Sequence, residues 1–222
     1  MGLVIPLSSA VLQAIAIFTM FVDHVGYFLF PGVPFPRIIG RISYPLFVFL
    51  LVEGYAHTSN RVKYICRLLI FSVLCEAPYE FVMQGNLTGP YNQNVFFSHV
   101  LIFVVLWLVD VGVEKGSFVF FFVGIVACLA ESLGFMYGGY GVLLGLCFYL
   151  FRDKRWVGML SLMSLTVGYC WVHGNWLQLG AISSLVFLYL YNGRKGRRLP
   201  KYFGYVFYPL HLLLLYGVSQ VG

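Results

Sequence analysis

The sequence predicts an all-α, polytopic transmembrane helical bundle of about nine spans, with eight as the alternative count. Three observations carry that prediction. Of the 222 residues, 60% are hydrophobic and 10% charged, against about 25% charged in an ordinary soluble domain. The chain has a mean hydropathy of +0.87, and its apolar residues gather in runs close to the ~20 residues that a bilayer crossing needs. Lysine and arginine alternate from loop to loop, as they do when membrane orientation sorts them. Eight acids and fourteen bases cannot coat a water-facing globule of this size. A soluble enzyme, a nucleic-acid-binding domain and a disordered tail are thereby excluded, and one transmembrane domain is expected over 1–222.

The runs are Ala10–Phe30, Ile38–Ala56, Lys63–Met83, Val95–Val113, Phe118–Gly134, Gly138–Phe151, Trp156–Val172, Trp176–Tyr191 and Tyr202–Gln220. The first carries Asp23-His24 and has no basic residue before it, so it reads as a retained span rather than a cleaved signal. The sixth and eighth are short and are the places for a re-entrant segment. Gly138-Gly139-Tyr140-Gly141 opens the sixth and is a place where helix would break beside a cavity. The five cysteines lie in or beside apolar runs without a CxxC pair, as small buried hydrophobes would.

Charge tests the count. Arg61, Lys63 and Arg67, then Lys115, then Arg152, Lys154 and Arg155, then Arg194, Lys195, Arg197, Arg198 and Lys201 follow spans two, four, six and eight. The loops after spans three, five and seven hold no base. Such alternation places the N-terminus in the cytosol and the chain in the cell membrane. It also makes the bilayer, not nucleic acid, the reason for the basic pI.

Ionisable side chains inside spans are costly and mark functional sites by default. Asp23, His24, Arg37, Arg41, Glu76, Glu80, His99, Glu131 and His173 fall toward the outer side in this topology, and His211 near the middle of span nine. Together they suggest an outward-facing cavity. Arg37 and Arg41 are four apart, as are Glu76 and Glu80, so each pair lines one helix face. A two-rung ion pair between spans two and three is one reading; shaping a site for a polar substrate is the other. Asp23 and His24 diverge by about 100° on a helix, which suits Asp23 to orienting another group. Histidine titrates near neutrality and suits His24 to proton transfer. Glu53 and His57, four apart near the inner end of span two, read as a helix-capping pair or a site element. The dispersed histidines, without HExxH or an acid-rich ligand set, predict no metal site.

Asp23-His24-Val25-Gly26, Arg37-Ile38-Ile39-Gly40-Arg41-Ile42-Ser43-Tyr44-Pro45-Leu46-Phe47 and Leu51-Val52-Glu53-Gly54-Tyr55-Ala56-His57-Thr58 closely resemble the TraX family. The likeness continues through Arg67-Leu68, Glu76-Ala77-Pro78-Tyr79-Glu80, Tyr140-Gly141-Val142-Leu143-Leu144 and Tyr208-Pro209-Leu210-His211-Leu212. The chain departs from the family where Met136 and Glu80 stand in place of a frequent aspartate. The resemblance implies an integral-membrane acyltransferase that moves acetyl from acetyl-CoA to an amine. The acceptor it implies is the N-terminus of a pilin or other small membrane-associated or secreted peptide. On that basis His24 is the expected base or nucleophile, with Asp23 tuning it. Arg37, Arg41, Glu53, Glu76, Glu80 and His211 are expected around the substrate, and Arg61, Lys63 and Arg67 near the coenzyme A phosphates. A proton-coupled transporter would also gather such residues at the midplane. A non-catalytic assembly factor for a secreted peptide is the third class.

Overall fold

In the computed structural model, residues 6–84, 93–114, 119–197, 200 and 202–221 are described. Among them the fold is all-α, with two isolated bridges and no extended strand. The helices are α1 (Ser9–Leu29), α2 (Pro34–Gly40), α3 (Ser43–Ala56), α4 (Arg61–Gln84), α5 (Val95–Glu114), α6 (Val119–Ser132), α7 (Gly138–Leu150) and α8 (Arg155–His173). A 3-10 helix, Trp176–Ser183, leads into α9 (Ser184–Leu190), and α10 (Phe203–Ser219) follows. Each of the nine apolar runs coincides with one helix or one broken helix. Three segments, Ser9–Leu29, Pro34–Ala56 and Val95–Gly112, are long and apolar enough to cross a membrane. At 13 residues α7 rises only about 20 Å. Lys115, Phe118, Arg198 and Lys201 lie outside the described residues.

The chain divides into two compact units, Met1–Leu50 with Leu162–Gly222, and Leu51–Ser161. In the first, Ser8 caps α1 by accepting the Val11 amide proton, 3.4 Å. Leu12, Ala16, Met20 and His24 recur every fourth residue on its buried face. The loop after Leu29 turns the chain back, so that Gly26 lies against Pro36 and Gly40 against Asp23. Span two is interrupted at Arg41 and Ile42, whose amides bond three residues back to Ile38 and Ile39 at 3.2 and 3.1 Å. Pro45 is the cause. It offers no N–H to the Arg41 carbonyl, and its ring crowds that carbonyl.

Helix α10 runs parallel to α1. Gln13 and Ile17 approach Gly204, Phe21 faces Phe207, His24 faces His211 and Phe28 faces Tyr216.

In the second unit, Val105 and Val109 of α5, Val119, Val123, Ala127 and Ala130 of α6, and Val142 and Leu146 of α7 form one buried cluster. Small and β-branched side chains let these helices approach closely. At Gly145 a Cβ would collide with Ile102. The left-handed turn comes just before α7, at Tyr137 with φ 63° and Gly138 with φ 39°. Gly139 and Gly141 lie inside regular helix, so the break expected over 138–141 is confined to the helix start.

Candidate active site

Five of the residues singled out in the sequence come together in the first unit. Asp23 on α1 takes both arginines of span two. Its Oδ2 accepts from Arg37 Nη1, and its Oδ1 lies 3.4 Å from Arg41 Nη2. The three side chains are 14%, 25% and 13% exposed. Gly40 makes room for the cluster, because any Cβ there would overlap the Asp23 side chain. Arg41 sits at the break in span two, so its backbone is irregular where its guanidinium is needed.

Within this unit Arg37 and Arg41 thus share one carboxylate, Asp23, which is nearer to both in sequence than Glu76 or Glu80. In the second unit Glu76 accepts from the backbone N–H of Asn94, 3.1 Å, and from its side-chain amide. Asn94 also donates to the Ser72 carbonyl at 2.8 Å and caps α5 through Phe96 N, 2.9 Å. Glu76 thus ties α4 to the start of α5, and Glu80 follows one turn later on α4.

His24 points away from Asp23, as the angle between neighbouring helical side chains dictates. Its Nδ1 lies 2.7 Å from Nε2 of His211 on α10. His211 Nδ1 lies 2.7 Å from the Phe207 carbonyl oxygen. The partners assign the protons. A carbonyl only accepts, so His211 carries its proton on Nδ1, and its Nε2 accepts from His24 Nδ1–H. The Nε2 of a neutral His24 is then left with a lone pair, and it makes no hydrogen bond among the described residues. Both rings are buried, His24 at 8% and His211 at 4% exposed. Phe207 stacks on His211 with centroids 4.7 Å apart, and Tyr208 meets both imidazoles edge-on. The arrangement orients one imidazole through a second, the logic by which a base is held in one tautomer.

The remaining expected residues, His173 apart, fall in the second unit. Glu53 lies in the last turn of α3, where His57 Nδ1 donates to its backbone carbonyl at 2.8 Å. Arg61 opens α4, 2.5 Å from Asp110 and with its guanidinium 4.7 Å from the Tyr55 ring centroid. Lys63 is exposed, its backbone N–H bonded to Asn60 Oδ1 at 2.7 Å. Arg67 lies over Tyr64 at 4.8 Å. Glu131, expected on the outer side, accepts from the Gly139 amide at 2.9 Å and caps α7. His99 bonds the Val95 carbonyl one turn back at 2.7 Å, and His173 stacks on Tyr169 at 4.3 Å. Among the described residues no group of three or more His, Cys, Asp or Glu is placed to hold a metal ion.

Asp110, near the end of α5, is a hub. Tyr55 donates to its Oδ2 at 2.8 Å, Tyr149 donates to its Oδ1, and Arg61 supplies the counter-charge. Helices α3, α4, α5 and α7 meet at that one carboxylate.

A probable fimbrial assembly protein, FimC of serogroup H1, from Dichelobacter nodosus is 27% identical over 95% of this chain and 95% of its own length. An uncharacterised protein of Rickettsia prowazekii is 23% identical over 45% of this chain and 46% of its own. No solved structure matches. The family described as TraX protein matches residues 8–219, which include the Asp23, His24, Arg37, Arg41 and His211 cluster and the Asp110 hub alike, and the chain belongs to the TraX family.

Proposed function

We propose that this chain is a multi-pass membrane N-acetyltransferase, its whole length acting as one domain with the N-terminus cytosolic. The acceptor is an amine at the N-terminus of a secreted or membrane-associated peptide. The name of the Dichelobacter relative, a fimbrial assembly protein, points to a pilin subunit as that peptide. The observation that carries the reading is the His24–His211–Phe207 chain, which leaves one imidazole nitrogen bare in the same unit as two arginines.

Acyl transfer to an amine needs a base and a cation for the developing oxyanion. His24 Nε2 accepts the amine proton as the new C–N bond forms and returns it to the departing thiolate. His211 holds the imidazolium in place and shares its charge. The Arg37 and Arg41 guanidiniums are the cations of the site, with Asp23 fixing both. An α-amino group has a pKa of about 7.7–8.0, so a histidine is a strong enough base for it. Acetyl-CoA supplies the acyl group as an activated thioester. Its phosphates suit exposed bases such as Lys63 and the half-buried Arg67, whereas Arg61 is already matched by Asp110.

The experiment is direct. Purified protein in vesicles is given labelled acetyl-CoA and the secreted pilin subunit, and the subunit's intact mass is measured. One acetyl group added at its N-terminus is expected, and none when the protein is omitted. An unmodified subunit, with efflux of a small solute coupled to protons, favours the transporter class instead.

A further inference from the structure

Charge is divided unequally between the two units. The first holds one acidic side chain, Asp23, against Arg37, Arg41, Arg194, Lys195, Arg197, Arg198 and Lys201. The chain's whole net charge of +6 therefore belongs to it, and the second unit is neutral. Arg37 and Arg41 lie on Asp23, so the excess sits in the 194–201 stretch. Arg194, Lys195 and Arg197 are all exposed. Their backbone is nevertheless pinned. The Arg194 and Lys195 carbonyls accept from Ser9 N and Ala10 N at 2.9 and 3.1 Å, and Asn192 N donates to the Leu7 carbonyl at 2.9 Å. Gly196, with φ 68°, lies so close to Ser8 that a Cβ would strike its Oγ. A loop of bases is thus clipped to the first turn of α1.

The same loop leads into α10, so both helices of the histidine pair start from it. From Ala10 to His24 is fourteen residues of unbroken helix, a rise of about 21 Å. Coenzyme A has matching dimensions. Its pantetheine arm runs about twelve bonds from diphosphate to sulfur, or ~14 Å when extended as a peptide backbone would be. The remaining ~7 Å is within the reach of a lysine or arginine side chain and the phosphate it holds. The α1–α10 seam marks the route. Gln13 and Ile17 flank Gly204, which contributes no side chain, and Phe21 meets Phe207 at 6.2 Å before His24 meets His211. Gln13, Phe21 and Phe207 are half-buried, so this edge of the seam is reachable from outside the bundle.

We propose that the 194–201 loop is the phosphate site for coenzyme A, with the pantetheine arm lying along the α1–α10 seam toward His24; this rests on the acetyltransferase reading. Arg194, Lys195 and Arg197 pair with the diphosphate and the 3′-phosphate, and helix α1 sets the distance from them to the reacting sulfur. Lipid phosphates carry the same chemistry and meet basic loops at a bilayer surface, at about 1 kcal/mol per base. They need no fixed distance to a histidine, and the test separates the two.

The test follows thermal unfolding in phosphatidylcholine vesicles with coenzyme A, its 3′-dephospho form or pantetheine. The triple variant Arg194→Ser/Lys195→Ser/Arg197→Ser removes exposed side chains only, and without ligand it is expected to unfold within a few degrees of wild type. Coenzyme A raises the wild-type unfolding temperature, and its Kd rises roughly tenfold in the triple variant. Arg197→Ser alone, which leaves the residues bonded to α1 untouched, shows about a threefold part of that loss. Removing the 3′-phosphate weakens binding to wild type several-fold and to the triple variant much less, and pantetheine binds both alike. Arg152→Ser/Lys154→Ser, which strips exposed bases from the neutral unit, keeps wild-type affinity. Equal coenzyme A affinity in wild type and the triple variant overturns the proposal. If the triple variant then loses only the stability gained in vesicles that also contain phosphatidylglycerol, the loop serves lipid instead. Equal losses in the triple variant and Arg152→Ser/Lys154→Ser overturn it as well, as general attraction of charge. Acetyl transfer by wild type with loop-independent coenzyme binding keeps the acetyltransferase reading without this site. Loop-dependent coenzyme binding with no acetyl transfer to the pilin subunit refutes that reading and keeps the phosphate site.

Discussion

Asp23 and Asp110 are both carboxylates within apolar helices, and both hold arginine, yet their surroundings differ in one respect. Asp110 has two tyrosine hydroxyls and one guanidinium, so every strong partner it needs is supplied by its own unit. Asp23 holds two cations with a single carboxylate, and its Oδ1 completes no hydrogen bond. Next to it stands an imidazole with a bare nitrogen. A saturated network fixes helices in place, whereas an unsaturated one keeps capacity for a substrate. The first unit is therefore read as the reacting region and the second as a locked scaffold.

Breaking the Asp110 hub should produce the largest change in stability. Asp110→Ala strips two tyrosines and an arginine of their shared partner and is expected to cost about 3 kcal/mol, read by thermal unfolding in detergent. Acetyl transfer per folded molecule should stay within a fewfold of wild type. Gly40→Ala attacks the other unit by steric means. The added methyl overlaps Asp23, costs about 1–3 kcal/mol, and should lower transfer far more than that loss of stability explains. Tyr149→Phe removes one hydrogen bond to a charged acceptor. About 1.5 kcal/mol of destabilisation with unchanged transfer is expected, and a large loss of transfer there would erase the distinction between the two units.

Much of the architecture was legible because it follows from span length and composition. All nine apolar runs became helical segments, and Asp23, His24, Arg37, Arg41 and His211 were picked out for lying where ionisable groups are costly. What the sequence hid was pairing. His24 and His211 are 187 positions apart, and no local rule brings them together. Arg37 and Arg41 meet at Asp23 on the helix that packs directly against α2, and their four-residue spacing alone does not single that carboxylate out. Asp110 was not among the candidates, and its tyrosines come from 55 and 39 positions away. The break at Arg41 was available in principle, since Pro45 stands four residues later.

The central claim is that chemistry belongs to the histidine pair and not to the Asp110 hub. The measurement that tests it is the rate of acetyl transfer from labelled acetyl-CoA by purified His24→Ala and Asp110→Ala, each divided by the amount of folded protein. The account predicts a loss of at least about a hundredfold for His24→Ala at near wild-type stability, and a rate within a fewfold of wild type for Asp110→Ala. Retained turnover in His24→Ala, or equal losses in both variants, would contradict it.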